Sequence, residues 1–130
     1  CGGPARLKRD LAAEIQRLSQ SKPEDLVGQT SLKQLLALIG EASLVLAPDT
    51  GPAHMATLVG TPVIGLYAHH NPARTGPYLC RDYLVSVYQE LIEQETGKPL
   101  AELGWRTRLK DPDAMAKISR ERVIAAFDRL

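Results

Sequence analysis

The 130 residues leave room for one ordinary domain, and a domain of that size buries roughly two-thirds of its unfolded surface. Apolar residues make up 44% and charged residues 24%, the balance of a globular protein, and a formal net charge of +1 makes no electrostatic case for a nucleic-acid partner. Gly, Pro or a charge breaks every apolar run well short of a bilayer span. Cys1 and Cys80 lack metal-ligand spacing and read as free thiols.

The chain opens on Cys1-Gly2-Gly3-Pro4 without an initiator Met. Gly-Gly-Pro has the make-up of a turn leaving a strand that is not in this sequence, so the expectation is a larger protein truncated at its start. From Ala5 to Ser19, Leu7, Leu11, Ile15 and Leu18 recur on one face, which predicts an amphipathic helix ended by Lys22-Pro23. Asp25-Leu26-Val27 reads as a short strand. Ser31 and Gln34 form a capping box, opening a helix with Leu32, Leu35, Leu36, Leu38 and Ile39 that stops at Gly40. Ser43 to Ala47 is an apolar run expected to be a strand buried on both faces. A turn from Pro48 to Pro52 leads into a helix over Ala53–Val59, and Pro62 to Tyr67 reads as a second buried strand. Strand, helix and strand at this spacing predict a parallel crossover. A loop rich in His, Asn, Pro and Gly then covers Ala68 to Pro77. Beyond it, a helix is expected over Tyr83–Gln94, followed by an irregular stretch whose Trp105 packs over the helices. In the last helix Ser119 is the cap, Ile118 staples onto Val123, and Ile124, Phe127 and Leu130 come after. The fold class is therefore α/β: a Rossmann-like, mostly parallel sheet over about residues 1–80, with a helical C-terminal tail over about 81–130.

In open parallel sheets, ligands bind beyond the C-terminal ends of the strands. Pro48-Asp49-Thr50-Gly51-Pro52-Ala53-His54 lies there. Gly51 permits close backbone approach, and Pro52 suits the first helical turn. The N–H groups of Thr50, Gly51, Ala53 and His54, with the helix dipole, would make an anion site suited to phosphate. Asp49 would instead accept from sugar hydroxyls. A plainer reading has Asp49 or Thr50 merely capping the helix, and both readings stand. The second such loop holds His69, His70 and Arg74. Adjacent histidines on an extended chain point apart, so a polar loop lining the cleft is favoured over a metal site, and no metal or other cofactor is expected. Arg74 either clamps a phosphate or, as the favoured reading, pairs with a carboxylate to hold its loop. No nucleophile constellation is present.

Four blocks carry a resemblance: Val27-Gly28-Gln29-Thr30-Ser31-Leu32; Ala47-Pro48-Asp49-Thr50-Gly51-Pro52-Ala53-His54-Met55-Ala56; Gly60-Thr61-Pro62-Val63-Ile64-Gly65-Leu66-Tyr67; and Asn71-Pro72-Ala73-Arg74-Thr75-Gly76-Pro77-Tyr78. In this order they resemble glycosyltransferase family nine, the ADP-heptose:lipopolysaccharide heptosyltransferases and their relatives. The resemblance implies a GT-B fold of two facing Rossmann-like domains, of which this chain would be part of the C-terminal, donor-binding one. It implies inverting, metal-independent transfer of heptose from ADP-heptose to the lipopolysaccharide inner core. The Thr50 and Gly51 amides would hold the diphosphate, Asp49 would meet heptose hydroxyls, and His54 would lie beside the phosphates. Pro52 and Ala53 would complete that turn. Gln29, Thr30 and Ser31 would edge the adenosine, and Gly3 would pass close to the nucleotide. The general base would belong to the N-terminal domain, so no catalytic residue is expected here and this chain alone would be inactive. The sequence departs from the family where Gly-Pro-Thr-Asp is usual: it has Ala68-His69-His70-Asn71. It also has Arg6 near the place of an acidic residue that contacts ribose.

The expected partners are a nucleotide-sugar donor, the lipopolysaccharide core acceptor and the N-terminal domain, with self-association through apolar surface left open on the last helix. The expected location is the cytoplasm, at the inner face of the inner membrane. Two other functions fit the same residues: a non-catalytic nucleotide- or phosphate-binding module, and a nucleotide-sugar epimerase of GT-B shape.

Overall fold

The structure, a computed structural model, describes residues 6–130. It divides into two compact units, one ending at Leu38 and the other running from Ile39 to Leu130.

In the first unit, helix α1 (Arg6–Leu18) lies where the apolar period predicts it. Its stripe of Leu7, Leu11, Ile15 and Leu18 is 54–70% exposed. The strand expected at Asp25–Val27 does not form. The Asp25 carboxylate accepts the Val27 amide at 2.9 Å, and the Leu26 carbonyl accepts the Gln29 amide at 3.1 Å. A side chain thus takes the place of a strand partner and curls the segment into a turn at Gly28, whose φ is 72°. The capping box is present in both directions, with the Ser31 amide donating to Gln34 Oε1 at 2.8 Å and the Gln34 amide to Ser31 Oγ at 3.2 Å. It opens helix α2 (Leu32–Glu41), which runs one residue past Gly40.

The second unit is built on a three-stranded parallel sheet in the order β1-β2-β3. Strand β1 (Val45–Pro48) is joined to β2 (Val63–Tyr67) by helix α3 (Gly51–Val59). From β2 the chain passes through a short helix α4 (Pro72–Thr75) to β3 (Val85–Ser86), then to α5 (Tyr88–Thr96) and α6 (Arg120–Asp128). The central strand is the dry one: Val63, Ile64 and Tyr67 are all at most 1% exposed. β1 is not buried on both faces as expected. It has a strand neighbour on one side among the described residues, and its Leu46 is 56% exposed while Ala47 is buried. α3 buries Ala53 and Ala56 completely, small side chains that let the helix lie close to its sheet, and Gly60 ends it in the left-handed region at φ 77°.

Three expectations beyond residue 67 need correction. The loop over Ala68–Pro77 contains α4, because the Asn71 side chain caps it by accepting the Ala73 amide at 3.0 Å and Pro72 sits in its first turn. The helix expected over Tyr83–Gln94 starts only at Tyr88; before it, Val85 and Ser86 extend to pair with Leu66 and Tyr67. Trp105 does not pack over the helices: it is 60% exposed. The core is filled from elsewhere. Ile64, Val85 and Ala126 form one cluster, against which both Ile118 and Val123 pack, and Ser119 Oγ caps α6 by accepting the Arg122 amide at 3.3 Å. Tyr88, Ile92, Leu109, Val87, Ala68 and Ala114 form another. Ile124 and Phe127 of α6, and Leu130 just beyond its end, stay about half exposed.

Candidate functional site

Because the sheet is parallel, Pro48, Tyr67 and Ser86 end their strands on one edge, and register pairs Pro48 with Leu66 and Tyr67 with Ser86. The segments leaving these strands meet at that edge. After β1, Thr50 is extended (φ −145°, ψ 169°) and stands as the N-cap of α3 without a side-chain cap bond. Its hydroxyl donates backwards to the Pro48 carbonyl at 3.3 Å, so the plainer role of helix cap is not one that the Thr50 side chain fills. The Ala53 amide is used within the turn, donating to the Thr50 carbonyl at 3.1 Å. Among the described residues, the amides of Thr50 and Gly51 have no protein acceptor. A Cβ at Gly51 would meet nothing within 4 Å among the described residues, so the backbone there is open on that side.

Asp49 is flanked by two imidazoles: His54 Nε2 lies 3.8 Å from Oδ1 and His70 Nδ1 lies 3.4 Å from Oδ2. Both separations exceed a short hydrogen bond, so these are electrostatic neighbours able to re-aim toward a ligand. The two loop histidines do point apart. His69 turns inward, its Nε2–H donating to the Asp111 carbonyl at 2.8 Å while its own carbonyl accepts the Leu109 amide at 2.9 Å. His69 fastens the loop and His70 faces Asp49. A cleft of about 170 Å³ is lined by Asp49, Tyr67, His69, His70, Arg108 and Met115 among others. Neither Arg108 nor Tyr67 stands out in the sequence as a site residue; Tyr67 reads there as strand, and Arg108 falls in the irregular stretch. Arg74 is exposed and has no carboxylate within 4.0 Å among the described residues, so the loop is held without it. Gln29 gives its side-chain amide to the Asp25 carbonyl at 3.2 Å, and Ser31 is committed as a cap. With Thr30 they belong to the first unit, and Gly3 lies outside the described residues. No group of three His, Cys, Asp or Glu side chains among the described residues is placed to hold a metal. No described helix is long and apolar enough to cross a membrane.

The Tyr67 hydroxyl donates to the Thr75 carbonyl at 3.2 Å, tying β2 to the end of α4. Burial, and after it the charge of Asp49, pushes this phenol well above its usual range. The folded chain then holds the proton more tightly than the unfolded one. The resulting stability is complete below the unfolded value of about 10 and is lost as pH rises toward the folded value. Urea-unfolding midpoints should therefore fall above about pH 10. Tyr67→Phe should flatten that decline in part, since Tyr88 is raised by burial as well. At neutral pH the same variant should lose about 1 kcal/mol, one hydrogen bond. An alkaline limb unchanged in Tyr67→Phe would count against this assignment.

The family model of glycosyltransferase family 9 (heptosyltransferase) matches residues 1–106. The chain belongs to this family. Over all 130 residues it is 49% identical to the lipopolysaccharide core heptosyltransferase OpsX of Haemophilus influenzae, of which it spans 38%. Over 61 residues, 45% of the chain, it is 44% identical to lipopolysaccharide heptosyltransferase 3 of Escherichia coli K12, covering 18% of that protein. A family 9 glycosyltransferase of Veillonella parvula, known as a crystal structure, superposes on 98% of the chain with a TM-score of 0.70 at 21% identity, and the match takes in 34% of that chain. The α/β, Rossmann-like fold of family 9 is thus present in this chain, and the chain spans well under half the length of these relatives.

Proposed function

We propose that this chain is the donor-binding part of an inverting glycosyltransferase that moves heptose from ADP-heptose to the lipopolysaccharide inner core, working at the cytoplasmic face of the inner membrane. The observation that carries the reading is the turn after β1. Two amides without a protein acceptor among the described residues, Thr50 and Gly51, open a nine-residue helix beside His54, His70 and Arg108. N–H donors and the positive end of a helix favour a diphosphate, and favour it more as its charge grows on leaving. Asp49 is unsuited to phosphate and suited to sugar hydroxyls, with its flanking imidazoles limiting repulsion. In the transfer, an acceptor oxygen bonds to the anomeric carbon, the bond to the diphosphate breaks, and the acceptor proton passes to a base in the other half of the enzyme.

Titrating the chain with ADP should shift the amide signals of Thr50, Gly51 and His54 in two-dimensional NMR. Shifts confined to α6 would sink the assignment. Binding should be indifferent to EDTA; a loss under chelation that a divalent ion restores would mean that metal holds the phosphates.

A further inference from the structure

The cleft at the ends of β1 and β2 holds two opposite charges that do not pair. Asp49 lines it from the turn after β1, and Arg108 lines it from the stretch between α5 and α6. Among the described residues, Asp49 has His54 and His70 within 4.0 Å, and Arg108 has no carboxylate within that distance. We infer that Arg108, in a role that rests on the transferase function proposed above, is the side-chain cation for the donor's sugar-linked phosphoryl group.

Both charges are held from their own sides. Asp49 lies between two imidazoles, 3.8 Å from His54 and 3.4 Å from His70. Arg108 is fixed through its neighbours: the Thr107 carbonyl accepts the Tyr88 hydroxyl at 2.7 Å, and the Leu109 amide donates to the His69 carbonyl at 2.9 Å. Side chains alternate along this stretch, with Leu109 buried among Tyr88 and Ile92 while Arg106, Arg108 and Lys110 are exposed. Of these three cations, Arg108 is the one that lines the cleft.

A carboxylate and a guanidinium in one cleft attract each other, so holding them more than 4.0 Å apart leaves room for a group with two kinds of polar surface. The junction of a sugar and a diphosphate is such a group. Its hydroxyls donate to Asp49, and its phosphoryl oxygens accept from the fork of Arg108. Size agrees with this. The cleft's volume of about 170 Å³ lies below the roughly 300 Å³ at which pockets for whole ligands begin, so it takes one end of the donor and leaves the nucleoside outside. When the bond from the anomeric carbon to the phosphoryl oxygen breaks, its electron pair stays on that oxygen. The acceptor oxygen takes its place on the carbon and yields its proton to the base in the other half. The added negative charge therefore appears on the phosphoryl group that Arg108 holds. A guanidinium stays charged at every working pH, so it stabilises this charge without moving a proton.

Calorimetry on the full chain with ADP and with AMP tests the role. Arg108→Gln should weaken ADP roughly tenfold, the weight of one charged contact, and leave AMP, which lacks the second phosphoryl group, within about twofold. Arg108→Lys should recover part of the loss, as a point charge without the fork. Arg106→Gln removes the same charge from outside the cleft and should bind ADP as the unsubstituted chain does. Both positions are exposed, so these variants spare the core. In NMR, saturating ADP should still shift the Gly51 amide in Arg108→Gln. Undiminished ADP affinity in Arg108→Gln, equal losses for ADP and AMP, or an equal loss in Arg106→Gln would overturn the role of Arg108 even where ADP still reaches Gly51. Absence of any response at Gly51 in the unsubstituted chain would instead overturn the donor reading, and the role of Arg108 with it.

Discussion

Gly51→Val should abolish ADP binding and leave the fold standing. The would-be Cβ at this position meets nothing within 4 Å among the described residues, so the added side chain has room to start from. Its backbone is helical, and a β-branched residue there costs under about 1 kcal/mol of intrinsic propensity. What the side chain occupies is the approach to the Thr50 and Gly51 amides. A diphosphate kept an ångström or two farther away loses its hydrogen bonds outright. The expected loss is at least about a hundredfold in affinity by calorimetry, with circular dichroism and the thermal midpoint close to wild type. Gly51→Ala should fall between the two. A valine variant that binds ADP as well as wild type would remove the turn from the donor site.

Tyr88→Ala should be among the most destabilising single changes in the chain, at about 3–5 kcal/mol. The residue is 1% exposed, sits at the head of α5 and fills the cluster with Ile92, Val87 and Leu109. Its hydroxyl donates to the Thr107 carbonyl at 2.7 Å. Against a total stability of about 5–15 kcal/mol, truncation would leave a large fraction of molecules unfolded on mild heating. Tyr88→Phe keeps the ring and loses one hydrogen bond, so about 1 kcal/mol is expected. Denaturant melts of the pair separate packing from hydrogen bonding; equal losses in both would show that the ring does not support the cluster.

The parts of the fold legible in the sequence are those fixed locally. Ser31 and Gln34 announce their helix because both capping partners lie within one turn, and Gly60 ends α3 because the left-handed region suits glycine. β3 is not legible: its two residues extend because Leu66 and Tyr67 offer them a ladder, a condition set far along the chain. The same distinction applies at the cleft. The turn from Asp49 to His54 is visible as a motif. That His70, and not His69, faces Asp49 is decided by the Asp111 carbonyl, forty-two residues on, which takes the His69 ring. Arg108 comes to the cleft by the same connection, through the neighbouring Leu109 amide. Nothing periodic marks such a contact. Trp105 misleads for a related reason: burial is the usual fate of an indole, and only the Gly104–Thr107 turn directs it outward.

The crossover from β1 to β2 also bears on how the chain comes to fold. Parallel pairing is slow when its partners are far apart, because chain entropy is spent before any contact repays it. Here Val45 meets Val63 across one nine-residue helix whose inner face is alanine, so the pairing closes over a short loop and tolerates loose early packing. β3 must wait for this template, since two residues cannot hold a strand without it. Assembly would then proceed outward from residues 45–67, and the turn after β1, lying inside that nucleus, would take shape before β3 and α5.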